Sequence, residues 1–314
     1  MKYVVLIILL ALAGMVAIGL GQVRLFPLTD DTLSILVNFR LPRVAFAAVN
    51  GAVLALAGVL YQIALRNPMA DGFTTGAASS AALGGCLALV LLGGMFFVSL
   101  AAIVFAGAGI FIVRGIARRA GGERVTIILA GIALSVVAGA GISFLKYFFE
   151  DSVSTMVFWL MGGLGNGTWP RVLALLIVLA AALAYLLVNR RRLALMFLDD
   201  HSAEAGGVNV RQMREILFVV TTLLVALSVS FCGVIGFLGL MAPHAVRALL
   251  GHDIVSQLLG APLLGALALV VFDLLARTVL AYGAELPVGI ITSLAGGIFF
   301  FGLLLYKGGR IWGE

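Results

Sequence analysis

Ten apolar runs, each followed by a break, dominate this sequence. They fall at 3–20, 45–64, 76–93, 96–114, 126–147, 172–189, 215–235, 237–250, 258–280 and 288–305. A helix needs about 20 mostly apolar residues to cross the hydrocarbon core of a bilayer. Lipid offers no partner for backbone N–H and C=O groups, so a helix, which closes its own hydrogen bonds, is what such runs must form. None alternates apolar and polar residues as barrel strands do. The expectation is an all-α polytopic membrane protein of about ten transmembrane helices, one domain over 1–314. The eighth run is short. It is parted from the seventh only around Cys232, Gly233, Val234, Ile235 and Gly236, where glycine permits a break.

Only 11% of residues are charged and 63% are hydrophobic, against about 25% charged in a soluble domain. The 39 glycines fit packed membrane helices, where small residues let backbones approach. The first run, after Lys2, reads as an uncleaved helix rather than a signal peptide. Cys86 and Cys232 lie far apart inside apolar runs and read as small buried hydrophobes; no metal site is expected.

The net charge of +6 reflects short basic clusters between runs, which sets orientation rather than nucleic-acid binding. With ten spans and an inside N-terminus, one side holds Lys2, Arg66, Arg114, Arg118, Arg119, Arg124, Arg190, Arg191, Arg192, Arg211, Arg214, Arg247, Lys307 and Arg310. The other holds Arg24, Arg40, Arg43, Lys146, Arg171 and Arg277. That is 14 against 6, accounting for all 20 basic residues. The rule that basic loops stay inside makes both termini cytoplasmic.

No G-x-x-x-x-G-K-[ST] phosphate loop is present, and none of the three lysines, Lys2, Lys146 and Lys307, has the required glycines before it. If ATP drives transport, a separate subunit must bind it. Ion-coupled carriers place ionisable groups deep in their helices. Away from the run ends, the ionisable groups that interrupt the runs are Asp273 with Arg277, and His244 with Arg247. A carrier or channel acting alone is therefore the weaker alternative. No convergent acid, base and metal set marks an enzyme.

Five segments could carry function. Arg40-Leu41-Pro42-Arg43 opens the second run on the outer side; its guanidinium forks suit carboxylates of a partner protein or, alternatively, lipid headgroups. Asp273 and Arg277, four apart, can pair along one helix face. Residues 62–76 (QIALRNPMADGFTTG) place a constrained turn at an inner mouth, as a gate or a plain connection. Residues 198–213 (LDDHSAEAGGVNVRQM) lack a further ligand beside His201 and Glu204, and favour a small helix offered to a cytoplasmic partner. In residues 233–247, His244 reads first as a satisfied buried histidine.

Taken together, several stretches resemble the iron-chelate and vitamin B12 permease family (FecCD-type) of ATP-driven importers. They are RLPR at 40–43, GAVLALAGVLYQIALRNPMADG at 51–72, LAGIAL at 129–134, FWLMGGLGNGTW at 158–169, AGGVNV at 205–210, GVIGFLGLMAPHAVRALLGHD at 233–253 and DLLARTVLAYGAELPVGIITSLAGGIFFFGLLL at 273–305. Gly206 and Gly297 depart mildly from the pattern, where leucine and proline are common.

The resemblance implies a type II ABC importer permease fold, a homodimer with the pathway at its interface, and no covalent chemistry. It implies two cytoplasmic ATPase subunits carrying ATP and Mg, an extracytoplasmic substrate-binding protein, and no cofactor on this chain. It assigns binding-protein docking to Arg40, Arg43 and Arg277, and the cytoplasmic gate to Asn67, Pro68 and Met69. It assigns ATPase coupling to Asp199, Asp200, Ala203, Glu204, Ala205, Gly206, Gly207 and Val208. The setting is a bacterial or archaeal cytoplasmic membrane, with its lipid. An iron-siderophore is the expected substrate, haem or cobalamin next, and a molybdate-type oxyanion after them.

Overall fold

A computed structural model describes residues 1–21, 29–121, 123–280 and 284–307. Arg24 and Arg310, counted in the charge sorting, lie outside these residues, as does the side chain of Lys307. So do residues 281–283 of the last family motif.

The described residues form helices α1 (Lys2–Gly19), α2 (Asp30–Ile35), α3 (Leu41–Leu65), α4 (Ala77–Leu91), α5 (Met95–Arg119), α6 (Arg124–Phe148), α7 (Val153–Leu160), α8 (Trp169–Val188), α9 (Arg190–Leu198), α10 (Asp200–Ala205), α11 (Val210–Cys232), α12 (Leu238–Leu249), α13 (Ile254–Thr278) and α14 (Val288–Lys307). A π-helical segment, Leu36–Arg40, joins α2 to α3. Each apolar run read from the sequence has its helix, in order. Among the described residues, seven helical stretches are long and apolar enough to cross a bilayer. α4, α12 and α14 are the shorter members.

α3 is the centre of the bundle. Asn50 through Leu65 is buried without interruption, because α11, α12 and α13 pack around it. Small residues set the closest approach: Gly58 lies against the backbone of Gly239, so a Cβ there would overlap it. Most other helices bury one stripe and leave the rest to lipid, as α6 does with Val125, Leu129, Val136 and Phe144 exposed.

The seventh run forms a helix of spanning length, α11, whereas the eighth forms a shorter one, α12. α11 stops at Cys232, whose Sγ accepts from Asn50 Nδ2 at 3.0 Å. Asn50 is nine residues past the start of α3, about 14 Å down its axis. Gly233 then takes φ 72°, and residues 233–237 descend to Gly239 beside Gly58, about 12 Å deeper. α12 completes the return in 12 residues, too short for a bilayer. The expected break is therefore real but sits at membrane depth, not at the surface.

A further short helix enters the same depth. α7 runs inward from the end of α6, and the following turn binds the α11 terminus through Gly163 N–H to Cys232 O at 2.8 Å. The start of α14 joins them, with Gly289 against the Met161 carbonyl. Four helix ends thus meet inside the apolar layer.

Candidate functional site

Non-helical backbone at membrane depth is tolerated only where protein buries it or where it lines a cavity. Here it lines one. Met69, Asp71, Phe73, Met161, Val234, Gly236, Phe237 and Ser293 surround a largely apolar cavity of about 670 Å³. The Asp71 carboxylate is used locally: Oδ1 accepts from Phe73 N at 3.0 Å and Thr74 N at 2.9 Å, closing the turn. Ser135 of α6 donates to Phe73 O at 2.8 Å and fixes that turn against the bundle. Beside the cavity, α6 exposes Leu129, Ile132 and Val136, and α14 exposes Leu294, Ile298 and Phe301.

The turn expected as a gate forms the floor. α3 ends at Arg66, in the left-handed region at φ 46°. Asn67 Oδ1 accepts from Met69 N at 2.8 Å. Met69 lines the apolar cavity, whereas Asn67 and Pro68 line a second cavity of about 660 Å³ with Arg66, Arg124, Asp200 and Arg214. Arg66 donates through Nη2 to Leu198 O at 2.9 Å. The base of the turn is therefore tied to the last residue of α9, two residues before α10.

α10 is short, so its ends and anchors decide where it sits. Asp199 caps it, with Oδ1 accepting from Ser202 N and Oδ2 from Ser202 Oγ, both at 2.6 Å. These bonds hold the Asp199 carboxyl below the usual aspartate range. Asp200 accepts from Arg214 at 2.8 Å and from Arg124, joining α10 to α6 and α11. Ala203 and Val208 are buried, while Glu204, Ala205, Gly206 and Gly207 form an exposed crest. Gly207 has φ 76°, where a side chain brings strain although its surroundings are open.

At the opposite end, the structure brings Arg40, Arg43, Asp273, Arg277 and Glu285 together. Arg43 binds Asp273 and Glu285, each at 2.9 Å. Arg277 pairs with Asp273 at 3.0 Å, the i,i+4 pair expected from spacing. The three arginines do not share one outward face. Arg40 is buried and donates to Ile18 O at 2.8 Å, and Arg277 donates to Ala17 O at 3.1 Å. Both satisfy carbonyls at the end of α1, which have no partner within that helix. Arg43 keeps a 16% exposed side chain beside the 40% exposed Glu285.

Comparison with known proteins matches residues 3–306 to the FecCD transport family. The chain belongs to the FecCD transport family. This FecCD chain is 37% identical over 314 residues to the hemin transport system permease protein HmuU of Yersinia pestis, covering 96% of this chain and 93% of the relative. It is 37% identical to the cobalamin import system permease protein BtuC of Halobacterium salinarum, over 87% of this chain and 74% of the relative. A solved structure described as an inward-facing conformation of a metal-chelate type ABC transporter superposes with a TM-score of 0.88 at 31% identity, covering 96% of this chain and 97% of that one. The FecCD chain is thus a multi-pass transport permease with the fold of that transporter.

Two polar residues of α12, one buried and one half-buried, find partners without joining the cavity. His244 Nδ1 is 2.8 Å from Leu240 O, and Arg247 Nη1 donates to Gln62 Oε1 at 2.9 Å. Both cysteines are free and buried. Reading the FecCD sequence for apolar runs misses α7, since eight residues are too few for a span. The glycines clustered at 162–167 after an aromatic stretch were the available signal.

Proposed function

We propose that this chain is the permease subunit of a binding-protein-dependent, ATP-driven importer that moves a metal chelate through the cavity at its centre. The observation that carries this reading is the cavity itself, walled by four helix ends and floored by a turn tied to the junction of α9 and α10. Apolar walls give a bulky solute little to hold, so release is easy and selectivity belongs to the delivering protein.

Two copies pair across the exposed faces of α6 and α14, and the cavity becomes a pathway between them. Two ATPase subunits, which hold ATP and Mg, grip the crest Glu204–Gly207 on the cytoplasmic side. ATP binding moves α10; the Asp200 ion pairs and the Arg66 hydrogen bond carry that movement to Asn67–Met69, which opens or closes the floor. A binding protein docks at the arginine end through carboxylates, with Arg43 the accessible guanidinium and Arg40 and Arg277 holding the α1 end beneath it. No cofactor is needed on this chain. It lies in the cytoplasmic membrane of a bacterium or archaeon with both termini in the cytoplasm. Relatives named for hemin and cobalamin support the chelate class; an iron-siderophore is our choice, ahead of haem, cobalamin and molybdate-type oxyanions.

The test is reconstitution of the chain in vesicles with its ATPase and binding protein, followed by uptake of labelled iron-siderophore, haem, cobalamin and molybdate. ATP-dependent accumulation of one chelate is expected. Flux without ATPase subunits or ATP would make it a carrier or channel and end this reading.

A further inference from the structure

At the α10 end, a cavity of about 450 Å³ is lined from α5 and α11 by Arg114, Arg118, Arg211, Arg214 and Glu215. Its deeper lining is apolar: Ala117, Ile127 and Phe218. Charge does not balance there. Glu215 pairs with Arg118 at 2.9 Å and with Arg114, so one carboxylate serves two guanidinium groups. Arg214 is held by Asp200 through Nη2, yet its Nε is buried with no partner. Among the described residues no carboxylate pairs with Arg211, which is exposed. The N-termini of α6 and α11, with their partial positive charge, open at the same level.

The surface beside this cavity changes from charged to apolar along each helix. On α11, Arg211, Glu215, Val219 and Leu223 are spaced by four and share one stripe; Val219 and Leu223 are exposed. On α5, exposed Phe111 and Val104 lie seven and fourteen residues before Arg118, on the same face and on its membrane side. Cationic forks above an apolar track match a molecule that is anionic at one end and hydrocarbon at the other. A small soluble anion has no use for the track, and an acidic protein surface has none either.

We propose that this pocket binds the phosphodiester headgroup of an anionic phospholipid, whose acyl chains lie along α5 and α11. The arginine forks take the phosphate oxygens, as basic pockets between membrane helices do for such headgroups. This site is separate from the solute cavity and does not depend on which solute is carried.

The experiment uses the full-length chain in neutral detergent. Its thermal midpoint is titrated with cardiolipin, phosphatidylglycerol, phosphatidylcholine and inorganic phosphate. The two anionic lipids raise the midpoint saturably, with a shift that shrinks as salt rises. The double variant R118Q/R211Q loses most of that shift and weakens apparent lipid affinity about tenfold or more, while R118K/R211K retains it. Both positions are exposed, and Glu215 keeps Arg114 in either variant. Native mass spectrometry of the unaltered chain, which needs no variant, finds anionic lipid retained over phosphatidylcholine. Equal shifts with phosphatidylcholine, a full shift with inorganic phosphate alone, or an undiminished shift in R118Q/R211Q would each overturn the proposal. So would lipid binding that survives in the variant while its ATPase no longer co-purifies, which would assign the patch to protein docking.

Discussion

Two clusters, each built on one aspartate and two arginines, sit at opposite ends of the bundle and differ in burial. Asp273, with a side chain 2% exposed, bridges Arg43 and Arg277. Asp200, with a side chain 30% exposed, bridges Arg124 and Arg214. In the first, water is excluded and two helices, α3 and α13, are locked together. In the second, water reaches the pairs in part, and the element they anchor is a six-residue helix separated by one residue from the end of α9. Similar residues make a buried joint at one end and a partly hydrated one at the other, and the environment sets the strength of the pair.

The contrast fails most visibly if Asp273 is dispensable. Removing a buried partner leaves uncompensated charge and costs about 3–5 kcal/mol. D273A should therefore lower the thermal midpoint sharply in detergent, whereas D200A, at a partly exposed site where water weakens the pairs, should lower it less. Equal midpoints for the two variants would break the comparison.

The α10 end should respond in function rather than stability. A bulky residue on the exposed crest, A205W, should leave stability within about 0.5 kcal/mol and cut ATP-coupled uptake about tenfold, corresponding to about 1.4 kcal/mol. Uptake is measured in vesicles beside ATP hydrolysis. Normal coupled uptake would move the ATPase contact away from α10. Gly207 is a poorer probe, since its backbone conformation adds strain of its own.

At the Asp273 end, Glu285 competes with any incoming carboxylate for Arg43. E285Q should strengthen binding-protein affinity severalfold, and R43Q should weaken it; surface plasmon resonance on chain in nanodiscs reads both. An unchanged affinity in E285Q would remove Arg43 from the docking role. Charge reversal of Arg40 is not a clean docking test, because it also strips the α1 terminus of a donor.

The smallest effect concerns the α10 cap. Asp199 is held below its usual range by Ser202. Its contribution is complete above the unfolded aspartate value near about 3.9 and is lost as pH falls through the lower folded value. Hydrogen exchange across 200–205, corrected for intrinsic rate, should accelerate in that acid window and lose this response in D199N. An identical pH profile in D199N would mean the cap does not hold the helix.

The apolar runs, their order and the fold class were legible because each depends on local composition: lipid demands a helix wherever about 20 apolar residues follow one another. The i,i+4 pairing of Asp273 with Arg277 and the turn at Asn67–Met69 were legible for the same reason, being short-range. Where the expectation departed, long-range contacts decided. Nothing near Arg40 says that it will close the end of α1, or that Arg43 will reach Asp273, 230 residues away. Hydropathy cannot say that α11 halts beside Asn50, 182 residues earlier, since the broken backbone at 233–237 is as apolar as a span. The sequence alone therefore determined which segments enter the membrane and that no nucleotide-binding loop accompanies them. Only the packed bundle decided how deep each one goes, where helix ends meet to leave a cavity, and which charges are buried and which meet water, because those depend on neighbours that are distant along the chain.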